Sequence, residues 1–367
     1  MTPQSLAPDL KITFTPNGAI KRMDYRDIVL TLFIGNEAEG GLTNLYLRRL
    51  GAKGEAFALL GPKAPIDPRA SSAGRVAGQI GSLSYRLHLD IAPDAPIWRW
   101  QVEVTNHGDQ PVDLDLLLTH DLALAPYGAI RLNEYYVSQY LDYTPLEHAE
   151  RGTVVAVRQN QAMGGRNPWC LIGSLGRAVA YGTDALQFYG RAARDGQRPD
   201  ALAQDALEGR LQHEHGLVSL QETPFCVKPK ETVTRGFWGS LKEHHPEATD
   251  SKDLSWVDEA LLALSKPLVP AAEGEALMAS KSFFVTAPLL RAESASREDL
   301  DAWFGHERRH AECKEGALMS FFTGARTHVV LKDKEWEVLR PHGHILRSGG
   351  LFEPDEAVMT STAWMDG

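Results

Sequence analysis

Cysteine is scarce: the 367 residues hold three, Cys170, Cys226 and Cys313, with no Cys-x-x-Cys pair. That excludes a disulfide-stapled fold and a cysteine-rich zinc site, and it points to a reducing compartment, the cytoplasm. A basic excess is also missing, because 38 Lys and Arg stand against 48 Asp and Glu, a formal charge of −10. A dedicated nucleic-acid binder would show a basic face, and an anionic membrane surface would repel this balance. No window approaches the roughly 18 consecutive apolar residues of a spanning helix. The opening stretch from Met1 to Phe14 lacks the charged-then-apolar order of a signal peptide. Nucleotide-binding glycine motifs are absent, and Gly173-Ser174-Leu175-Gly176 has the wrong spacing for a G-x-S-x-G nucleophile elbow.

What is present is the texture of a turn-rich β protein. Hydrophobic residues make up 43% and charged residues 23%, so the chain is globular. Its length allows two or three domains. Thirty-two glycines and 21 prolines punctuate short apolar runs. Tyr85, Leu87, Leu89 and Ile91 alternate with polar residues, as do Trp98, Trp100, Val102 and Val104, and then Val112, Leu114, Leu116 and Leu118 alternate against Asp113 and Asp115. Asn106 to Pro111 is a cluster of turn formers, so the last two runs read as an antiparallel hairpin with one buried face. Further strands are expected at 12–14, 28–34, 154–157, 171–172, 179–181, 186–189, 217–220 and 237–241. So many short strands predict a large two-sheet sandwich over 1–250 rather than βαβ winding.

The texture changes near residue 250. Ser255-Trp256-Val257-Asp258 fits a capping box before an apolar run that Pro267 and Pro270 stop. Ser296 with Asp299 opens a second short helix. Residues 251–310 therefore read as a helical linker. Strand texture returns at 319–322, 328–331, 336–339 and 345–346, the beginning of a second β unit over 311–367.

Three constellations bear on chemistry. His306-Glu307-Arg308-Arg309-His310 fits H-E-x-x-H, which needs both imidazoles one turn apart on a helix. Its two intervening arginines and the preceding Gly305 fit a charged, solvated helix end better. His342-Gly343-His344 could place two imidazoles on one strand face, and reads equally as a polar loop; no metal site is expected. The run from Asn133 to Tyr143 has four tyrosines among Asn, Glu, Gln and Asp. Aromatic faces and amide or carboxylate edges are what a sugar binds, while sandwiches also use Tyr to close their edges. Both readings stand on composition.

Several stretches together resemble the N-terminal region of an inverting glycoside phosphorylase family. Its members include cellobiose phosphorylase, the 1,2-β-oligoglucan phosphorylases and the phosphorylase-like part of NdvB-type cyclic β-1,2-glucan synthase. The resemblance rests on Asn17-Gly18-Ala19-Ile20, on Glu39-Gly40-Gly41-Leu42-Thr43-Asn44-Leu45-Tyr46-Leu47-Arg48 and on the run 133–143. Arg158-Gln159-Asn160-Gln161, Gly165-Arg166-Asn167-Pro168-Trp169 and the tail from Arg340 to Gly349 add to it.

The resemblance implies a galactose-mutarotase-like β-sandwich, a helical linker and then an (α/α)6 barrel that holds the general acid. Inorganic phosphate is the implied nucleophile, with no further cofactor. The expected chain is a non-catalytic N-terminal module, so no catalytic residue is assigned. Its implied partners are a β-glucan or gluco-oligosaccharide, the barrel of the same polypeptide, and a second subunit in a homodimer. A sugar contact would fall on Tyr135, Tyr136, Gln139 and Tyr143, with Arg166 and Asn167 as polar partners. The alternative is a stand-alone sugar-binding or aldose-epimerase-like protein, for which Glu134, His120 and His148 supply acid and base candidates.

Overall fold

The computed structural model describes residues 9–51, 55–190, 198–211, 216–272, 274, 276–278, 298, 301–302, 305–306, 308–314, 317–322 and 328–330. Strands β1 (Leu10–Phe14), β2 (Ile20–Tyr25) and β3 (Ile28–Val29) make a small antiparallel sheet. Next come β4 (Asn44–Arg49), β5 (Ala56–Ala58), β6 (Arg75–Ile80), β7 (Leu83–Ile91), β8 (Ile97–Asn106) and β9 (Val112–His120). Helices α1 (Tyr127–Leu132) and α2 (Glu134–Gln139) precede β10 (Leu141–His148), β11 (Gly152–Gln159), β12 (Trp169–Ser174) and β13 (Ala178–Asp184). Helix α3 (Ala185–Tyr189), β14 (Gly216–Glu222), β15 (Phe225–Val227), β16 (Thr232–Lys242), α4 (Ser255–Leu264) and β17 (Val269–Pro270) follow. The chain divides into two units near residue 289, and the second holds an antiparallel sheet of β18 (Arg309–Lys314), β19 (Ala317–Phe322) and β20 (His328–Val330).

The first unit is built on one 14-stranded sheet in the order β17-β7-β8-β16-β12-β11-β13-β14-β9-β4-β5, with β6 on β7, β10 on β11 and β15 on β9. Every pairing in it is antiparallel except β11 with β13, which meet at Gly152 and Ala178. There the sheet turns over on itself, so that β16 and β8 come against β9 and β15. Period-two alternation then does what it predicts. Trp98, Trp100, Val102 and Val104 of β8 face Leu114, Leu116 and Leu118 of β9 and Val218 and Leu220 of β14 across one core. The fold is mainly β, a sandwich, as the sequence pattern anticipates.

Both outer faces are also covered. Val257, Ala260 and Leu264 of α4 bury Val154, Ala156, Trp169, Leu171 and Trp238. Phe188 of α3 with Ala201, Leu202 and Leu207 buries Tyr46, Leu117 and Leu217 on the other layer. Hence β11 and β14 are buried along both faces. Trp98, Trp100, Trp169 and Trp238 are fully buried, and each contributes on the order of 4 kcal/mol of transfer free energy. A Cβ at Gly239 would fall 2.1 Å from the Trp98 ring, so a glycine is what lets that indole lie flat on β16.

A buried ion pair locks the second layer. Arg48 donates through Nε to Asp115 Oδ1 at 3.0 Å and through Nη2 to Oδ2 at 2.6 Å. Its remaining donors reach Gln204 O and Asp205 O, and Gln221 Nε2 donates to Asp115 Oδ2 at 2.8 Å. The pair is thus fully hydrogen-bonded, which is the condition for a buried charge to persist.

Several local expectations are corrected. β8 and β9 are not a hairpin; β8 pairs with β7 and β16, and the chain crosses between layers at 106–111. Asn106 makes that corner, donating through Nδ2 to Gln110 O and Val227 O and accepting from Gly108 N–H. Residues 186–189 are helical because Asp184 caps Gln187 N–H and Gly190, at φ 69°, ends the turn. The strand expected over 28–34 stops at Val29. The capping box before α4 lies one turn earlier, where Asp250 and Asp253 cap each other's backbone. Residues 298 and 301–302 are helical, and the rest of the second helix lies outside the described residues. His306 sits in a turn and His310 in β18 at φ 50°, so H-E-R-R-H lies on no common helix face. His342-Gly343-His344, the strands expected at 336–339 and 345–346 and the 340–349 tail lie outside the described residues.

Candidate functional site

After β9 the chain is tied down by its own polar groups. Asp121 accepts from Phe33 N–H at 2.7 Å and from the Thr43 hydroxyl at 2.8 Å. Val29 and Ala125 exchange backbone bonds, which fixes 122–126 beside the small N-terminal sheet. Burial raises the Asp121 carboxyl above the ordinary range against those two donors, and it lowers the His120 imidazole to about 4, so that ring is neutral.

From this root α1 and α2 project as a platform. Asn133 caps α2 by accepting from Tyr136 N–H at 3.0 Å. Ile130 and Val137 turn inward onto Val29, Ala123, Ala125 and Met163. Gln159 Nε2 donates to both Ala123 O and Val137 O, and Asn160 N–H donates to Tyr140 O at 2.8 Å. The other sides of these two short helices are left to solvent. They show Tyr127, Leu132, Tyr135, Tyr136, Gln139 and Tyr140, with Tyr127 46% and Tyr136 45% exposed. Tyr136 and Tyr140, four residues apart, pack edge-on at 4.9 Å, and their hydroxyls meet at 3.3 Å. The Arg22 guanidinium lies over the Tyr127 ring at 5.2 Å.

Of the residues singled out in the sequence, Tyr135, Tyr136 and Gln139 share this exposed face. Tyr143 does not. It stands two residues into β10, buried in the core, with its ring against Gly216. Arg166 and Asn167 lie in the loop packed at the end of α2, but both are engaged internally. Arg166 bonds Asp27 and Glu243, and Arg26 links Glu243 to Asp9, so five charges staple the N-terminal strands to the sandwich. Its hydrogen bond holds the Asp27 carboxyl below the usual range. Asn167 Nδ2 donates to Gln159 O and Asn160 O. Tyr140 packs on Tyr136 and Tyr127 is exposed on α1, and neither is among the expected sugar contacts. The i, i+4 spacing of Tyr136 and Tyr140 was the available signal, and nothing local marks Tyr127.

The acid and base candidates do not meet. His120 is fully buried, Glu134 is exposed on α2, and His148 Nε2 lies 3.6 Å from Asp258 of α4. Among the described residues no group of three His, Cys, Asp or Glu is placed to hold a metal ion. No described helix is long and apolar enough to cross a membrane. What the platform offers is a set of ring faces and hydroxyl and amide edges on a rigid base, the chemistry of carbohydrate contact.

Residues 13–239 match the family described as the SOGP N-terminal domain, and residues 306–367 match the glycoside phosphorylase supersandwich domain. A 1,2-beta-oligoglucan phosphorylase of Listeria innocua serovar 6a is 31% identical over 364 residues, covering 98% of this chain and 32% of that protein. The chain thus spans about a third of the length of the curated relative it matches. Among solved structures, a polysaccharide lyase aligns with TM-score 0.43 and 14% identity over 65% of this chain and 33% of its own. A galactose mutarotase related enzyme from Lactobacillus acidophilus aligns with TM-score 0.37 and 10% identity, over 67% and 98%.

Proposed function

This chain belongs to the glycoside phosphorylase family, and from that premise we propose that it is the non-catalytic β-sandwich part of a β-glucan-active phosphorylase or glucan synthase. The sandwich module of 1–250 is extended by α4 and β17 from the segment 251–310, which leads into a second β unit over 311–367. A barrel in the same polypeptide carries the chemistry. Its acid protonates the glycosidic oxygen while inorganic phosphate attacks the anomeric carbon with inversion. One carboxylic acid suffices, because phosphate, unlike water, needs no general base. Phosphate is the co-substrate and no other cofactor is invoked.

The match of an N-terminal domain and a supersandwich domain along one chain carries this reading. The exposed tyrosines of α1 and α2, with Gln139, supply the surface that would touch a gluco-oligosaccharide at the barrel's border. Association into a homodimer and a cytoplasmic location belong to the same reading. The experiment is to incubate the 367-residue chain with β-linked gluco-oligosaccharides and inorganic phosphate. Binding without release of glucose 1-phosphate is expected. Release catalysed by these residues alone would overturn the non-catalytic assignment.

A further inference from the structure

One end of the sandwich core gathers several buried polar side chains. It is the end where β9 finishes at His120, β13 finishes at Asp184 and β14 begins at Gly216. The strand register brings these together: His120 pairs with Val218, and Gly216, two residues along the same strand, pairs with Asp184. From the facing layer, the Tyr143 phenol lies so close that a Cβ on Gly216 would fall 2.3 Å from its hydroxyl. The Trp98 ring stands 5.6 Å from the His120 ring. Burial first, and then the nearby charges of Asp121 and Asp184, push the Tyr143 hydroxyl well above its ordinary range.

Each of these four side chains is at most 3% exposed, and each carries a polar atom with no hydrogen-bond partner among the described residues: Trp98 Nε1, His120 Nε2, the Tyr143 hydroxyl and Asp184 Oδ2. Their other polar atoms are used. His120 Nδ1 faces Asp121 O at 3.2 Å and the Thr43 hydroxyl at 3.3 Å, and Asp184 Oδ1 caps α3. If His120 Nδ1–H donates to that carbonyl, Nε2 is a bare acceptor. The remaining set is then a donor (the indole N–H), two acceptors (imidazole and carboxylate) and a hydroxyl able to act as either. Leaving four such atoms dry would forfeit the hydration of each with nothing in return. One buried water making two to four bonds is the ordinary remedy, at about one per 27 residues in globular proteins.

We propose that this end of the core is a hydration site, in which ordered water is shared by Trp98 Nε1, His120 Nε2, the Tyr143 hydroxyl and Asp184 Oδ2. The site lies directly behind the root of the α1–α2 platform, since Asp121 follows His120 and fixes Phe33 and Thr43. Water there supplies the bonds that hold the ends of β9, β10 and β13 in register without a bulky apolar filler.

The sign of one substitution tests this. If water bonds the hydroxyl, Tyr143→Phe removes real hydrogen bonds, and the melting temperature should fall by about 2–4 °C. If the site is dry, the same change relieves an unsatisfied hydroxyl, and the variant should melt at or above the parent temperature. A crystal structure of the parent supplies the second readout, with water-sized density within hydrogen-bond distance of His120 Nε2 and the Tyr143 hydroxyl. That density together with a lowered melting temperature is the expected result. No density, density too large for water, or an equal or higher melting temperature would overturn the proposal.

Discussion

Glu222→Gln should flatten the dependence of stability on pH. Glu222 ends β14 and is 1% exposed, with Oε1 accepting from the Ser174 hydroxyl at 3.1 Å and Oε2 without a partner among the described residues. Burial raises its pKa from 4.5 to about 7, and the bond from Ser174 and the charge of Arg235 only partly oppose that. Because the folded-state value is the higher one, the folded chain holds the proton more tightly than the unfolded chain. Its contribution is fully present below pH 4.5 and is lost as pH rises through about 7. A shift of that size is worth about 3 kcal/mol. Glutamine keeps the shape and the acceptor for Ser174 while remaining neutral. Urea unfolding of both proteins from pH 5 to pH 8.5 should therefore give curves that separate with rising pH, the variant becoming the more stable by about 3 kcal/mol at the alkaline end. His120 works in the opposite direction, since its lowered folded pKa removes stability as pH falls from 6.5 towards 4, and it does so equally in both proteins. Parallel curves would refute the reasoning about Glu222.

Arg48→Met should cost about 3–5 kcal/mol in the same assay, because it leaves the Asp115 charge buried without its partner, and Arg48→Met with Asp115→Leu should recover much of that loss. Tyr136→Ala should weaken gluco-oligosaccharide binding by calorimetry about fivefold, the worth of roughly 1 kcal/mol of aromatic contact, and leave the circular dichroism spectrum unchanged because the ring is exposed. Gly216→Ala should lower stability by about 1–3 kcal/mol through its collision with the Tyr143 ring, measured by thermal unfolding.

The sequence carried the layers better than the connections. Alternation along β7, β8 and β9 correctly gave each strand and its buried face, because period two is a property of the strand itself. Which strands pair is decided elsewhere. Asn106 reaches Val227, 121 residues away, to turn the chain across the core, and no local pattern announces so distant a partner. Likewise, apolar residues 186–189 read as a strand until Asp184 and Gly190 are seen capping a single helical turn. At the site, composition found the tyrosine-rich run but could not separate its two faces. Helix α2 ends at Gln139 and β10 begins at Leu141, so the period changes inside the run and Tyr143 turns into the core. Arg166 and Asn167, the expected polar partners of a sugar, are claimed by Asp27, Glu243 and the carbonyls of Gln159 and Asn160.

The role of the sandwich is tested most directly by exchange. This chain, put in place of the matching segment of the listerial 1,2-beta-oligoglucan phosphorylase, should yield a folded chimera. That chimera should release glucose 1-phosphate from β-linked gluco-oligosaccharide only when inorganic phosphate is present, while the 367-residue chain alone releases none. A folded chimera without phosphorolysis, or phosphorolysis by the isolated chain, would contradict the account.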